Sequence, residues 1–471
     1  MKKVLLYGFG SSPIFINPFI KETKKRNILF KYSLILDNSH YLDMMSTVIN
    51  NVLCIKRELP NNISQDIDLN ELKNYPSNLF KDIESEKRTL KNKNSEEQLK
   101  IAFATYKLIK LFILKIKPDY ILYIQHPENM TGVMISNIAL ELNIPISVPI
   151  STRNIDTSFF SNSYQEILPK YGKINDTDTL KAENFFTSYR DKHISSSIKN
   201  KDIFITPINF IQPSFYARLK KYILRYFVET ENREFSTFYI AFVNNLPFYR
   251  NFIWFMRKTI NKTMYNIDSF TKLPNKFIYY PLQYTPESSI NIPAPYYIDQ
   301  LRIIDSIRMS MPNDMMLIVK EHPDCIEVRP RYFVKNLLKK AGVVVAKYDM
   351  DSREIIKQAD ITISVSGTAS FEAFLLGKQS IIMSPTFFDS FIGGVCKSND
   401  LKETIVNKLN IKINDEEIIN ALARIYSVSS KFYGITAIGN GGVMMTKENV
   451  NNFIDAVLIH INSKENKYNE K

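Results

Sequence analysis

Two Rossmann-like, doubly wound α/β domains facing each other across a cleft are the fold class this sequence predicts, and three observations predict it. The chain has 471 residues, too many for one ordinary core and suited to two domains of roughly 200 residues each. Short apolar runs alternate with helix-period segments through residues 1–150, the signature of parallel strands joined by helical crossovers. The same alternation restarts, more cleanly, over residues 275–400.

The first half opens on Val4–Tyr7, a buried strand stopped by Gly8-Phe9-Gly10-Ser11-Ser12 and too short for the apolar core of a signal peptide. Further short apolar runs lie at 28–36 and 52–55, and residues 60–100 are polar loops and exposed helix. Ile101–Ile116 has helical spacing and stops at Lys117-Pro118. Asp119–Ile124 reads as a strand, 125–129 as a loop, Thr131–Leu142 as a helix and Ile144–Ile150 as the next strand. Residues 151–265 differ: Phe235–Lys262 carries Arg250, Arg257, Lys258 and Lys262, no acid, and eight interleaved aromatics around Trp254. Such a segment fits either an interfacial surface for the inner membrane or a lipid-linked acceptor, or a helical hairpin packed between domains. The second is preferred, because aromatic stripes at helical spacing are usually buried.

In the second half the strands are Lys276–Leu282, Met315–Lys320, Val343–Val345, Ile361–Val365 and Ser380–Met383. Helices fall at Tyr297–Met309, Tyr332–Lys340, Asp351–Gln358 and Thr368–Leu376, and Asp351 with Glu354 resembles a capping box. The domain boundary falls between Asn261 and Pro274, giving domains 1–265 and 266–460, with helices over 415–460 and a frayed polar tail, 461–471.

Composition removes several function classes. The three cysteines, Cys54, Cys325 and Cys396, are far apart, which argues against a disulfide framework or zinc site and for the cytoplasm. No charge-free apolar run reaches the roughly 18 residues of a membrane span. A net charge of +13 suits phosphates or anionic lipid, or reflects solvated lysines on helix faces. Nucleic acid is not expected as a partner, since there is no zinc finger, RNP-like strand or arginine-rich arm.

Ligands of doubly wound folds sit at the carboxyl ends of strands, so the loops there carry the candidates. The first, Pro281–Glu287, offers Gln283 and Glu287, or is a turn with Glu287 as a helix cap. The second is Lys320-Glu321-His322-Pro323: Lys320 adds charge, His322 can donate to a phosphate, and Pro323 holds the histidine extended. In the third, Gly367 permits a tight turn, Ser366 and Thr368 add hydroxyl donors, and the helix start makes an anion site. Glu372, one turn in, is placed for ribose hydroxyls. Each loop alone is an ordinary strand-turn-helix; their convergence on one sheet edge favours a phosphate site. From the first half, His126 and Glu128, and then Asp156, are candidates for general base or nucleophile. Glu128 has an alternative as the cap of the following helix. Gly8, Gly10, Ser11 and Ser12 suit either close approach of an acceptor or a tight turn. No metal or other cofactor is expected: Asp349-Met350-Asp351 opens a helix, where acids belong anyway.

The strings PLQYTPESS, IDQLRIIDSI, MLIVKEHP and ADITISVSGTASFEAFLLGKQSII, within residues 275–390, resemble the capsule polysaccharide biosynthesis proteins, including Kdo transferases. That resemblance implies a metal-independent glycosyltransferase of the GT-B type, its C-terminal domain binding a nucleotide sugar, CMP-Kdo in the family's characterised branch. It implies donor contacts at Gln283, Glu287, His322, Pro323, Ser366, Gly367, Thr368 and Glu372, with His322 on the CMP phosphate. It also implies a glycan or lipid-linked acceptor, and a place at the inner face of the membrane or beside a capsule export complex. Gln283 stands where members often carry His, which leaves another CMP-linked acidic sugar or a UDP sugar as alternative donors. A sugar epimerase, a CDP-alditol phosphotransferase and a non-catalytic scaffold are the competing functions.

Overall fold

The computed structural model describes residues 2–63 except 11 and 38, 72–153 except 91, 155, 157–191, 255–265 except 257, 274–284, 288–326, 329–433 and 445–468. Asp156, Glu287 and the aromatic stretch 235–254 lie outside the described residues.

The two expected sheets are present. The first contains β1 (Lys2–Gly8), β2 (Phe30–Leu36), β3 (Asn51–Cys54), β4 (Tyr120–Tyr123), β5 (Ile146–Ser151) and β6 (Ser158–Ser161), in the order β3-β2-β1-β4-β5-β6. All pairs are parallel except β5 with β6. The second contains β7 (Phe277–Pro281), β8 (Met316–Lys320), β9 (Val343–Val345), β10 (Ile361–Ser364) and β11 (Gln379–Ile382), all parallel, in the order β11-β10-β7-β8-β9. In both sheets the order reverses beside the first strand, between β1 and β4 and between β7 and β10. Doubly wound sheets open a crevice at such a reversal.

The principal helices are α1 (Pro13–Lys25), α2 (Ser95–Ile116), α3 (Met130–Glu141), α4 (Asp176–Asp191), α5 (Gln300–Ser310), α6 (Arg331–Leu338), α7 (Ser352–Gln358), α8 (Thr368–Leu375), α9 (Leu401–Leu409), α10 (Asp415–Tyr426) and α11 (Lys447–Tyr468). Helix α2 starts earlier than its apolar period because the Asn94 side chain accepts from the Glu97 N–H at 2.8 Å. It stops at Lys117, φ 49°, ahead of Pro118. Asp351 caps α7 by accepting from the Arg353 N–H at 2.9 Å, whereas Glu354 pairs with Lys357, so the reciprocal half of the capping box is not made.

Packing departs from the expected division of the chain at its end. Helix α11 lies against α1, and Val450, Phe453, Ile454, Val457 and Ile461 share one core with Val4, Leu6, Phe15 and Phe19. The last helix, expected with the second domain, is therefore buried on the first, and it continues to Tyr468 where a frayed tail was expected. Conversely, α4 packs on α10, tied by Arg190 to Asp415 at 2.8 Å. Phe371, Phe374, Phe387 and Phe388 join Phe159 and Phe186 in one apolar cluster that fastens the two sheets together.

Candidate functional site

A cavity of about 470 Å³ lies between the carboxyl edges of the two sheets. The first domain contributes His126 and Glu128 after β4, Ser151 and Arg153 at the end of β5, and Glu166 after β6. The second contributes Gln283 and Tyr284 after β7, His322 after β8, and Ser366, Gly367, Thr368 and Ala369 between β10 and α8. Seven candidates read from the sequence thus meet in one space: His126, Glu128, Gln283, His322, Ser366, Gly367 and Thr368.

The turn before α8 is built to stay open. Gly367 occupies the cap position at φ −76°, with no side-chain cap, so the first N–H groups of the helix are left to a ligand. The Ser366 hydroxyl is 1% exposed and without a hydrogen-bond partner. Its neighbours Ser364 and Ser370 bond to each other at 2.7 Å, and Ser364 to the Gly367 carbonyl, which fixes the turn from behind. Glycine is needed at 367 for closeness rather than for the tight turn expected: a Cβ there would stand 2.9 Å from Nε2 and 3.1 Å from Oε1 of Gln283.

The two loops of β7 and β8 are locked to each other by a buried ion pair that the sequence reading passed over. Arg329 reaches Glu321 at 2.8 Å through Nε and Nη2, and Nη2 also donates to the Gln283 carbonyl at 3.0 Å. Glu321 further accepts from the Tyr265 hydroxyl at 2.7 Å and from the His322 backbone N–H at 2.8 Å. His322 stands edge-on to Tyr284, ring centroids 5.7 Å apart.

On the opposite wall, Asn129 and not Glu128 caps α3: its Oδ1 accepts from the Gly132 N–H at 3.1 Å and from the Tyr7 hydroxyl at 2.8 Å. Glu128 is therefore spared the capping role and lines the cavity half-buried. His126 shares a 2.8 Å hydrogen bond between Nε2 and the Tyr164 carbonyl, which makes Nε2 the donor and Nδ1 the basic nitrogen. Behind α3, Met130 N–H donates to Glu86 and the Thr131 hydroxyl to Asp37, and burial pushes both carboxyls up; neither lines the cavity.

Three expected contacts are not made. Lys320 is buried outside the cavity: β8 alternates Leu317 and Val319 onto one face and Ile318 and Lys320 onto the other, toward Asp349 and Asp351. Burial pushes its ammonium down. Pro323 turns away, its carbonyl accepting from the Tyr348 hydroxyl at 3.2 Å. Glu372 does not line the cavity; its charge bears on the phenols of Tyr189 and Tyr279 instead. Gly8, Gly10 and Ser12 do not line it either: Gly10, φ 56°, and the Ser12 hydroxyl, accepting from the Phe9 N–H at 2.9 Å, make the tight turn. What the sequence reading missed is Arg153, Glu166 and Tyr284, which line the cavity, and Arg329 behind it. Among the described residues there is no group of three or more His, Cys, Asp or Glu that could hold a metal, and no helix long and apolar enough to cross a membrane.

No curated protein matches the chain in sequence. Among solved structures, similar ones include a UDP-GlcNAc 2-epimerase from Methanocaldococcus jannaschii, 14% identical over 88% of this chain and 94% of that one, TM-score 0.24. KpsC of Thermosulfurimonas dismutans, a beta Kdo 2,7 transferase, is 12% identical over 74% of this chain and 89% of its own, TM-score 0.30. HepE of Anabaena, in complex with UDP and glucose, is 12% identical over 98% and 100%, TM-score 0.23. At these identities and TM-scores none of the three informs the chemistry. The sequence family is more telling: residues 243–433, which hold the second sheet and every cavity residue from Pro281 to Ala369, match the capsule polysaccharide biosynthesis protein family.

Proposed function

We propose that the chain is a glycosyltransferase of capsule or surface polysaccharide biosynthesis. It moves a Kdo-like sugar from a CMP-linked donor to a glycan or lipid-linked acceptor at the cytoplasmic face of the membrane. The observation that carries this reading is the uncapped start of α8, beside the unpartnered Ser366 hydroxyl, opening into a cavity that the other domain closes with His126 and Glu128. The donor phosphate sits at the α8 N–H groups, where the helix dipole favours an anion and stabilises the negative charge that grows as the sugar departs. His322, held by Glu321 and Tyr284, donates to the same phosphate. Gln283, packed on Gly367, addresses the donor's polar edge. From across the cavity Glu128 takes the proton of the acceptor hydroxyl as that oxygen attacks the anomeric carbon. His126 orients the acceptor.

A thermal-shift screen of CMP, CDP, UMP, UDP and GDP on wild type and His322→Ala tests the reading. CMP is expected to raise the melting temperature of the wild type with concentration, and much less that of the variant. With CMP-Kdo, CMP release is expected only when an acceptor glycan is present. Sugar conversion without acceptor would make the protein an epimerase, and binding of no nucleotide would leave a scaffold.

A further inference from the structure

The proposed chemistry leaves the cavity's charge unexplained. Among the described residues lining it, Arg153 is the one lysine or arginine, and it comes from the first domain. Its Nη1 crosses to the second domain and donates to the Ser366 carbonyl at 2.8 Å, one residue before the cap of α8. Its Nη2 donates to both carboxylate oxygens of Glu166, at 2.7 Å to Oε1. The guanidinium also lies 5.8 Å from the ring centroids of Phe387 and Phe388, which wall it from behind. Both partners of the ion pair sit in the left-handed region, Arg153 at φ 64° and Glu166 at φ 57°. A side chain pays backbone strain there, and residues so held concentrate at ligand clamps.

We infer that Arg153 is the residue that binds the ligand's anionic group, and that Glu166 is a counter-charge the ligand must displace. This rests on the cavity taking a nucleotide phosphate. A guanidinium offers five N–H donors in a planar fork matched to phosphate oxygens, and the Ser366 carbonyl and Glu166 take up only part of them. A phosphate at the start of α8 would lie between that fork and the Ser366 hydroxyl, which has no other partner. Glu166 stands on the same guanidinium, so in the empty cavity it occupies the cation, and a phosphate and Glu166 compete for it. Because Arg153 and α8 belong to different domains, an anion held by both bridges the cleft.

The two partners then act oppositely on affinity, which no structural role of the pair would produce. Calorimetric titration of CMP is compared for wild type, Arg153→Gln, Glu166→Gln and the double variant, with melting temperatures of the unliganded proteins as the folding control. Arg153→Gln is expected to weaken CMP at least about tenfold, and Glu166→Gln to tighten it about threefold or more by removing the competitor. The double variant should bind as weakly as Arg153→Gln. If Glu166→Gln leaves affinity unchanged, or weakens it alongside Arg153→Gln while lowering the unliganded melting temperature, the pair is only an interdomain tie and the inference is overturned. If the wild type binds none of the nucleotides, the reading of the cavity itself falls, and this inference with it.

Discussion

Asp82 is buried without contact to water, bonded by the Tyr75 hydroxyl and, at 2.8 Å, by the Asn137 amide, while its Oδ1 has no partner. Burial pushes its carboxyl up from 3.8 to about 6, against the pull of Tyr75, Asn137 and Lys81. An acid whose folded pKa is raised binds more protons in the native than in the unfolded state between those two values. Its contribution is therefore fully present below pH about 4 and is lost as pH rises to about 6. The loss amounts to roughly 3 kcal/mol, at 1.36 kcal/mol for each pH unit between the two pKa values. Asp82→Asn keeps an acceptor for Tyr75 and cannot ionise, so it removes the slope. The variant also places an N–H2 where Oδ1 lacks a partner, which costs about 1–3 kcal/mol at every pH. That offset drops out when urea midpoints of variant and wild type, followed by far-ultraviolet circular dichroism, are compared at pH 4, 5, 6 and 7. The stability difference should move toward the variant by roughly 3 kcal/mol across that range and then level off. A difference flat with pH would refute the assignment of Asp82 as an ion strained by burial.

Gly367→Ala should displace the Gln283 amide, the far end of a side chain that can move, and so lower nucleotide affinity about tenfold while shifting the melting temperature little. Arg329→Leu should cost about 3–5 kcal/mol in urea unfolding, since it strands the Glu321 carboxylate in a dry site and frees the Gln283 loop. Asn129→Ala should cost about 2 kcal/mol by removing the α3 cap and the acceptor of the buried Tyr7 hydroxyl together, and the His126 loop should exchange amide hydrogens faster.

The strands were legible because runs such as Val4–Tyr7 are apolar throughout, bounded by turns and buried on both faces, as parallel strands require. Strand β6 was not, since Ser158-Phe159-Phe160-Ser161 is too short to show a period and is fixed by pairing with β5 and by a bridge to the distant Ser430. At the site, residues in loops directly after strands were well placed by topology alone: His126, Glu128, His322, Ser366. Lys320 failed because it is the last residue within its strand, where the pleat and not the loop decides its face. Arg153 was not legible because general-base chemistry points to the acid of the β5 loop, Asp156, and a lone arginine there carries no sequence signal of a ligand. Nothing in one sequence marks a residue as left-handed, nor couples position 153 to 166 or 321 to 329.

The return of α11 to the first domain has a consequence for how the chain is born. The second core, from Tyr265 to Ile405, draws on one continuous stretch and can close as soon as that stretch is made. The first core takes Val4 to Phe160 from before that stretch and Phe432 to Ile461 from after it. On the ribosome, where domains ordinarily fold from the N-terminus onward, the order is inverted here: of the two cores, the one begun earlier is completed later. Until residues near Phe453 emerge, Phe15 and Phe19 lack their edge-on contacts with its ring, and the nascent first domain carries an open apolar face that a chaperone would find.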